Sequence, residues 1–309
     1  MSKELIEKAL EYACDTKACV IGDGVLAQVP EFFKEQFNGA SDAIVVCDPR
    51  TKAAAGDRVA ALLKDAGVAV SEHVLEPGGK EIHADYCYAE EVRAAIRQTI
   101  GQSNGRTVVP VAVGSGVVND LAKLASGDLG LPYMVCATAA SVDGYSSFGA
   151  SIRSPEGAKK TYACPAPRVI VADLDVMRTA PEWMAASGFA DLLAKVTAGA
   201  DWVLARELGA SEWHDRAWHT VQDGLPEALA DPEGVAAMKT EPLVRFVEGL
   251  MLGGFAMQDM QSSRPASGAE HMFSHILEMR NHTYKGNIVP HGIQVGVYTR
   301  FMSKLYEKI

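Results

Sequence analysis

Residues 108–120 read VVPVAVGSGVVND, and this stretch decides the fold of the chain. An apolar, β-branched run enters a glycine turn at 114–116, and a helical pattern follows at 119–125. A strand, a glycine turn and a helix N-terminus in this order can direct backbone N–H groups at a pyrophosphate. The turn also suits an ordinary connection, because Asn119 stands where a G-x-G-x-x-G pattern has its last glycine and no Walker lysine follows.

The stretch is one of a series, because short β-branched runs alternate with Ala/Leu-rich helical patterns from residue 18 to about residue 175. The main predicted helices are 53–66, 90–102 and 119–125. The predicted strands are 18–21, 43–47, 69–74, 108–113, 133–137 and 169–172. Such alternation is typical of βαβ units, so it predicts a Rossmann-like parallel sheet with helices on both faces.

The pattern changes after Pro181, where long Ala/Leu/Met/Trp segments with helical spacing replace the β-branched runs. A chain of 309 residues with 48% apolar composition is long enough for a large core. Domains usually have about 100–200 residues, so this length favours about two domains. We therefore predict an α/β protein with a dinucleotide-binding α/β domain over 1–178 and an all-helical, metal- and substrate-binding domain over 179–309.

Charge and cysteine usage argue against several classes of protein. The formal net charge is −10, and the sequence contains no block of Lys and Arg residues. A nucleic-acid partner is therefore not expected. No apolar run approaches the ~18 residues of a membrane span, and the N-terminus lacks a secretory pattern. The six cysteines contain no C-x-x-C pair, which favours a reducing, cytoplasmic location.

Two further features favour a nucleotide. Asp48 follows a predicted strand, where a carboxylate can accept hydrogen bonds from an adenosine ribose and repel a 2′-phosphate, which favours NAD over NADP. The alternative is a turn-initiating aspartate before Pro49. The hydroxyl-rich loop 138–147, TAASVDGYSS, follows another strand at the end where open α/β sheets bind ligands. Its hydroxyls could instead satisfy the backbone of a turn.

Three separated residues suggest a metal site. Asp191 lies in an apolar helical pattern at 185–204, where a carboxylate is costly to bury without a cation. Lys195, one helical turn later, is the alternative partner. His271 lies in SGAEH and His291 in PHG; each also suits a structural role, as a core or surface histidine or as a helix-start residue. One carboxylate and two imidazoles with an open fourth position suit a catalytic Zn²⁺-like ion.

His275 follows His271 at i+4, so the two side chains share a helix face. The order E-H-x-x-x-H places no glutamate between the histidines, which argues against a zinc protease.

Together these segments resemble the sn-glycerol-1-phosphate dehydrogenase family, within the iron-containing alcohol dehydrogenase and dehydroquinate synthase-like superfamily. The resemblance covers nearly the whole chain and rests on GSGVVND (114–120), TAASVDG (138–144), GFADLLAK (188–195), Asp201-Trp202 and the two histidine segments. It implies that Asp191, His271 and His291 ligate one divalent metal, Zn²⁺ or Ni²⁺. With Gly114 of the turn, the residues assigned to the dinucleotide are Asp48, Gly116, Val117, Val118, Asn119, Asp120, Thr138, Ala139, Ala140, Ser141 and Ser147.

The resemblance implies reversible reduction of dihydroxyacetone phosphate, a small phosphorylated three-carbon substrate, to sn-glycerol 1-phosphate by NAD(P)H. Asp143, Asp191 and His275 then face the substrate, with Asp191 and His275 as the catalytic residues. We hypothesise that His275 takes part in protonating the product oxygen, because it shares a helix face with His271. The candidates for the phosphate are Lys159, Lys160 and Arg280, for which surface solvation is the alternative role.

Three alternatives stay open: a polyol dehydrogenase of the same superfamily, a lyase resembling dehydroquinate synthase, and a non-catalytic nucleotide-binding protein. We expect a homo-oligomer. Related proteins usually continue through several more helices, so we expect the helical domain to be short at its C-terminal end.

Overall fold

The computed structural model of the chain describes residues 2–76, 78, 82–280 and 282–308. Met1 and Ile309, the outer limits of the two predicted domains, lie outside the described residues. The chain forms two compact units. We call Asp15–Ala139 with Gly149–Ala180 the sheet unit, and residues 2–14, 140–148 and 181–308 the helical unit.

The elements of the first part of the chain alternate between strands and helices, and all but α1 belong to the sheet unit. In chain order they are α1 (Ser2–Leu10), β1 (Ala18–Gly22), α2 (Val29–Gln36), β2 (Ala40–Cys47), α3 (Pro49–Thr51), α4 (Asp57–Asp65), β3 (Ala69–Val74), α5 (Tyr86–Gln102), β4 (Thr107–Gly114), α6 (Gly116–Asp128), β5 (Met134–Ala137), β6 (Ala150–Arg153), β7 (Lys159–Tyr162), β8 (Val169–Asp173) and α7 (Leu174–Met177). A 3₁₀ turn, Val25–Gln28, precedes α2, and a π-helical turn, Lys52–Gly56, joins α3 to α4.

Among the described residues, six strands of the sheet unit form one parallel sheet in the order β1-β8-β5-β4-β2-β3. Alternate residues of β4, from Val109 to Val113, join one buried apolar cluster with Phe33 of α2 and Leu63 of α4. The intervening Ala112 is also buried. Because successive strand side chains point to opposite faces, both faces of the sheet are covered.

Each of the six predicted strands is present in this sheet, and the predicted α/β fold class is confirmed. The antiparallel pair β6 and β7 was not predicted. β6 alternates buried and half-buried residues, and β7 is exposed at its two central residues and begins with two lysines. The pair therefore lacks the continuous apolar run that marks the central strands.

The helical unit contains long helices and one very short antiparallel strand pair. Its further elements are α8 (Glu182–Glu207), α9 (Asp215–Gln222), α10 (Leu225–Ala228), α11 (Pro232–Ala236), α12 (Thr240–Met260), α13 (Ala269–Met279), β9 (Thr283–Tyr284), β10 (Asn287–Ile288) and α14 (His291–Tyr306). α14 packs along α8, α13 packs against both of them, and α12 packs against α1, α9 and α10. Apart from the pair β9–β10, the predicted helical character is confirmed.

The division into units differs from the predicted boundary. Residues 2–14 belong to the helical unit because α1 packs on α12. Residues 140–148 belong to it as well, because Ser146 Oγ donates to Met251 O at 2.8 Å and Gln258 Nε2 donates to Ser146 O at 2.6 Å. The last break falls at Ala180 and not at residue 178. Periodicity along a sequence cannot reveal which distant helix a short segment packs on.

None of the described helices has both the length and the apolar composition that crossing a membrane requires.

Candidate functional site

Three helices of the helical unit bring the predicted metal ligands together. Asp191 lies in the middle of α8, His271 in the first turn of α13, and His291 is the first residue of α14. One ligand atom from each of the three lies within 4.8 Å of the other two. The cluster of Asp191, His271 and His291 is called the donor cluster below.

Two glycines allow the close backbone approaches that surround this cluster. A Cβ on Gly292, next to His291, would lie 2.0 Å from the carbonyl oxygen of Ser187 on α8. A Cβ on Gly188 would lie 2.1 Å from the carbonyl oxygen of Ala140. Both contacts are to backbone atoms, so a side chain at either position would push α14 or the loop 140–148 away from α8.

Asp191 is buried, and its partners are Lys195 on α8 and His271 on α13. Lys195 Nζ lies 3.1 Å from Asp191 Oδ1 and 2.7 Å from Asp143 Oδ2, so it bridges both carboxylates. The backbone N–H of Asp143 donates to Asp191 Oδ2 at 3.1 Å. Burial by itself would raise the pKa of Asp191, but Lys195 and the histidines lower it below its usual range. The carboxylate is therefore ionised at neutral pH.

The two histidines of the donor cluster have carboxylate partners of their own. His271 Nδ1 lies 2.9 Å from Glu270 Oε1, while its Nε2 lies 3.3 Å from Asp191 Oδ1. His291 Nδ1 lies 3.0 Å from Glu278 Oε1. Burial lowers the pKa of His271, but its hydrogen bonds to Asp191 and Glu270 outweigh that effect and raise it.

The donor set fits a divalent metal. Carboxylate oxygen and imidazole nitrogen are ligands that Zn²⁺ and Ni²⁺ accept. Asp143, Asp191, Glu270 and Glu278 are four carboxylates against one ammonium, that of Lys195, which leaves a formal excess of three negative charges when both imidazoles are neutral. Two of the four, Asp191 and Glu270, are buried, and burying negative charge is unfavourable without a compensating cation.

His275 lies beside the donor cluster and is half-buried. Its ring stacks on that of His291, with a centroid separation of 6.0 Å. His275 is not part of the group whose atoms converge on one point. The separation of His275 from the metal ligands stays a prediction.

Sequence reasoning missed Glu270, Ser274 and Glu278, and it gave Lys195 only one of its two partners. The residue before His271 is acidic, which is a weak signal. Glu278 and His291 lie on different helices, so only the packing of α13 against α14 reveals their contact.

In the sheet unit, the glycine turn ends β4 and begins α6. Ser115 occupies the N-cap position, and no side-chain hydrogen bond caps the helix. The first turn of α6 also contains no acidic residue. Such a helix start suits an anion such as a pyrophosphate. Gly114 is required here for packing, because a Cβ would lie 2.5 Å from the Cβ of Val118.

Other predicted dinucleotide residues lie at the same edge of the sheet. Asp48, Gly114 and Thr138 stand at the carboxyl ends of β2, β4 and β5, and β4 is the neighbour of both other strands. Thr138 N–H donates to Gly114 O at 3.1 Å. The predicted residues from this part therefore converge on the carboxyl edge of the sheet, where open α/β sheets bind ligands.

Several of these side chains already have structural partners. Asp48 caps α3, accepting from the N–H groups of Arg50 and Thr51 at 2.8 and 2.9 Å. Asn119 Oδ1 accepts from Tyr133 at 3.0 Å, and Asp120 Oδ2 accepts from the N–H of Ser151 at 3.3 Å. Burial raises the pKa of Asp120. The cap that Asp48 forms is the turn-initiating alternative that the sequence left open.

The remaining predicted residues are distributed differently. Val117 is half-buried, and Val118 and Ala139 are buried in the sheet unit. Ala140, Ser141 and Ser147 are buried in the helical unit, where Ser147 Oγ donates to Gly144 O at 3.1 Å. Of the phosphate candidates, Lys159 and Lys160 lie on β7, and Arg280 is exposed at the end of α13.

The two units define a class of protein. An α/β unit with a nucleotide-type helix start and a helical unit with an Asp/His/His donor cluster are the parts of a metal-dependent dehydrogenase.

Comparison with known proteins gives the family. The sequence pattern of the iron-containing alcohol dehydrogenases matches residues 20–181. A glycerol-1-phosphate dehydrogenase (NAD(P)+) of Halalkalibacterium halodurans is 34% identical over 93% of this chain and 70% of its own length. The Bacillus subtilis protein of the same name is also 34% identical, over 94% of this chain and 71% of its own. The chain therefore belongs to the iron-containing alcohol dehydrogenase family, and the resemblance to its glycerol-1-phosphate dehydrogenases is confirmed.

The fold agrees with that of solved structures. The glycerol dehydrogenase of Schizosaccharomyces pombe superposes with a TM-score of 0.68 at 21% identity, covering 94% of this chain and 71% of that one.

Proposed function

We propose that this protein is an NAD(P)H-dependent oxidoreductase that reversibly reduces dihydroxyacetone phosphate to sn-glycerol 1-phosphate. NAD(P)H gives a hydride to the carbonyl carbon and a proton joins the carbonyl oxygen, which yields the secondary alcohol and NAD(P)+. The donor cluster is the observation that carries the proposal, because Asp191, His271 and His291 come from three separate helices to one point. The curated relatives that share about a third of its residues bear the name of this activity.

The metal would be held by Asp191, His271 and His291, and Zn²⁺ or Ni²⁺ suits this donor set. When bound, such an ion polarises a carbonyl oxygen as a Lewis acid. Asp191 contributes a permanent negative charge, because Lys195 and the histidines keep its pKa low. Lys195 also holds Asp143, whose side chain is partly accessible. We assign Asp143 to a substrate hydroxyl, from which its carboxylate would accept a hydrogen bond.

His275 is our candidate for the group that transfers the proton. Its ring lies next to His291, and its side chain is half-buried. An imidazole in such a position can donate to the product oxygen and regain its proton from water.

The sheet unit supports a dinucleotide cofactor. The N-terminus of α6 offers backbone N–H groups and lacks a side-chain cap, and Asp48 and Thr138 end the two strands beside β4. We propose NAD in preference to NADP, because a carboxylate at position 48 repels a 2′-phosphate. A measured preference for NADPH over NADH would contradict this assignment.

An assay of NADH oxidation tests the substrate. We expect turnover with dihydroxyacetone phosphate and much weaker turnover with dihydroxyacetone, and we expect Asp191→Asn to abolish it. Turnover with dihydroxyacetone and none with its phosphate would contradict the proposal and favour a polyol dehydrogenase.

We also propose that the protein is a homo-oligomer. Exposed apolar side chains form stripes on α8 (Leu193, Val196 and Leu204) and on α14 (Val297, Phe301 and Leu305). Apolar patches of this kind mark protein interfaces. Light scattering should give a mass of at least two chains, and Phe301→Lys should lower it; a monomer at micromolar concentration would contradict the proposal.

A cytoplasmic location belongs to the same proposal. The six cysteines are free thiols in the structure, as expected for a reducing compartment. Disulfide bonds in the protein isolated from its source would contradict it.

A further inference from the structure

The helix α13 presents three polar side chains to the histidines of the donor cluster. Glu270, Ser274 and Glu278 are spaced four residues apart, so they lie along one side of the helix. Glu270 contacts His271 of the same helix, whereas Ser274 and Glu278 contact His291 at the start of α14. One helix therefore supplies a carboxylate to each ligand histidine.

Glu270 is fully buried and held by three hydrogen bonds. Its Oε1 accepts from His271 Nδ1 at 2.9 Å and from the N–H of Gly268 at 2.7 Å. Its Oε2 accepts from Thr197 Oγ1, on α8, at 3.0 Å. With both oxygens engaged, the carboxylate has little freedom to move, so it fixes the plane and direction of the His271 ring.

Glu278 plays the same part for His291. Its Oε1 lies 3.0 Å from His291 Nδ1, and Ser274 Oγ lies 3.3 Å from the same nitrogen. The side chain of Glu278 is largely buried. Glu278 is on α13 and His291 is on α14. A carboxylate of one helix therefore fixes the orientation of an imidazole ring on the next helix.

These contacts determine which nitrogen of each ring can bind a metal. An ionised carboxylate only accepts hydrogen bonds, so Nδ1 of each histidine carries a proton. The lone pair for a metal must then come from Nε2. His271 Nε2 points into the cluster, 3.3 Å from Asp191 Oδ1, and a metal bound there would replace the proton that Nε2 shares with this carboxylate.

We propose that Glu270 and Glu278 are positioning residues that hold His271 and His291 in the Nδ1–H tautomer and raise their affinity for the metal. Carboxylates behind metal-bound histidines increase the basicity of the ligand and fix its orientation. The inference rests on the proposed function only in that a divalent metal occupies the donor cluster.

The variants Glu270→Gln and Glu278→Gln test it. An amide at position 270 keeps an oxygen for His271 and Gly268, and its NH₂ can donate to Thr197 Oγ1, so the shape of the contact survives while the charge is lost. Glu241→Gln is the matched control, because Glu241 is exposed on α12, where it pairs with Arg245 of the same helix. Zn²⁺ affinity is measured by competition with a chromophoric chelator, and folding is checked by thermal melting of the metal-free proteins.

We expect each of the two variants to bind Zn²⁺ about 10–100-fold more weakly than the wild type, while Glu241→Gln binds it normally. ¹⁵N NMR of the Zn²⁺-loaded wild type should show protonated Nδ1 and metal-bound Nε2 for both histidines, a readout that does not depend on any variant folding. Wild-type affinity in both glutamine variants, or Nδ1 coordination of either histidine, would overturn the inference. A wild type that binds no Zn²⁺ or Ni²⁺ would instead refute the metal site of the proposed function.

Discussion

At the scale of single residues, Lys195 neutralises part of the negative charge at the donor cluster. Its ammonium is fully buried and contacts Asp143 and Asp191. Burial by itself would lower the pKa of Lys195, but the two carboxylates raise it. The lysine is therefore charged throughout the physiological pH range, and removing it would leave the buried Asp191 and the partly accessible Asp143 without their shared cation.

We expect Lys195→Met to destabilise the metal-free protein by about 3–5 kcal/mol, the cost of leaving a buried charge without its partner. Urea unfolding in the presence of a chelator measures this, and added Zn²⁺ should restore part of the loss. The control is Lys64→Met, which removes an exposed pair with Glu72 and should cost at most ~1 kcal/mol. Equal stability of the two variants would show that Lys195 is not needed to neutralise the cluster.

His275 provides a second prediction at this scale. We expect His275→Ala to lower kcat for dihydroxyacetone phosphate by about 100-fold or more, the usual contribution of a positioned general acid. Zn²⁺ affinity should not change, because His275 does not belong to the donor cluster. Unchanged kcat and KM would remove His275 from the mechanism.

At the scale of elements, the site depends on how closely α14 approaches α8. Gly292 permits the contact at Ser187, and Thr197 of α8 holds Glu270 of α13. Contacts beside the donor cluster therefore hold the three ligand-bearing helices together. A change in one of these contacts should lower the affinity for the metal.

We expect Gly292→Ala to destabilise the protein by about 1–3 kcal/mol, as overpacking does, and to weaken Zn²⁺ binding at least 10-fold by moving His291. Gly101→Ala is the control, since a Cβ at that helical position of α5 meets no atom within 4 Å. It should stabilise the protein by up to ~1 kcal/mol and leave Zn²⁺ binding unchanged. Normal Zn²⁺ affinity in Gly292→Ala would contradict the account of helix approach.

The strands and ligand-bearing helices were predictable because each has a local signal. β4 is a continuous β-branched run, and Asp191 lies in an apolar helical pattern. The packing of α1 and of residues 140–148 on α12 was not predictable, because it depends on partners more than 100 residues away, such as Ser146 with Met251. Glu278 was missed although His291 is only 13 residues away, because their contact depends on how α13 packs on α14.

At the scale of the whole molecule, the cysteines report on how well the chain is packed. Cys14 and Cys87 are exposed, whereas Cys47, Cys136 and Cys164 are buried. Burial raises the pKa of Cys47 to about 11 and those of Cys136 and Cys164 to about 12. The buried thiols are therefore almost entirely protonated at neutral pH, and only the thiolate form is reactive.

A disulfide reagent such as DTNB at pH 8 should modify Cys14 and Cys87 rapidly in the native protein. Cys47, with about one part in a thousand as thiolate at that pH, and Cys136 should react only after unfolding. Mass spectrometry of timed samples identifies the modified cysteines. The denatured protein gives the modification rate of each cysteine when it is fully accessible. Modification of Cys136 as fast as Cys87 would show that the core of the sheet is open to solvent.

Reconstitution of the chelated protein with Zn²⁺ or Ni²⁺ tests most directly whether the donor cluster binds the metal that the reductase activity needs. Bound metal and NADH-dependent reduction of dihydroxyacetone phosphate are measured on the same samples. We predict that activity falls at least about 100-fold on chelation and returns in proportion to one bound ion per chain. We predict that Asp191→Asn neither retains the ion nor recovers activity. Full reductase activity in the metal-free wild type would contradict the claim.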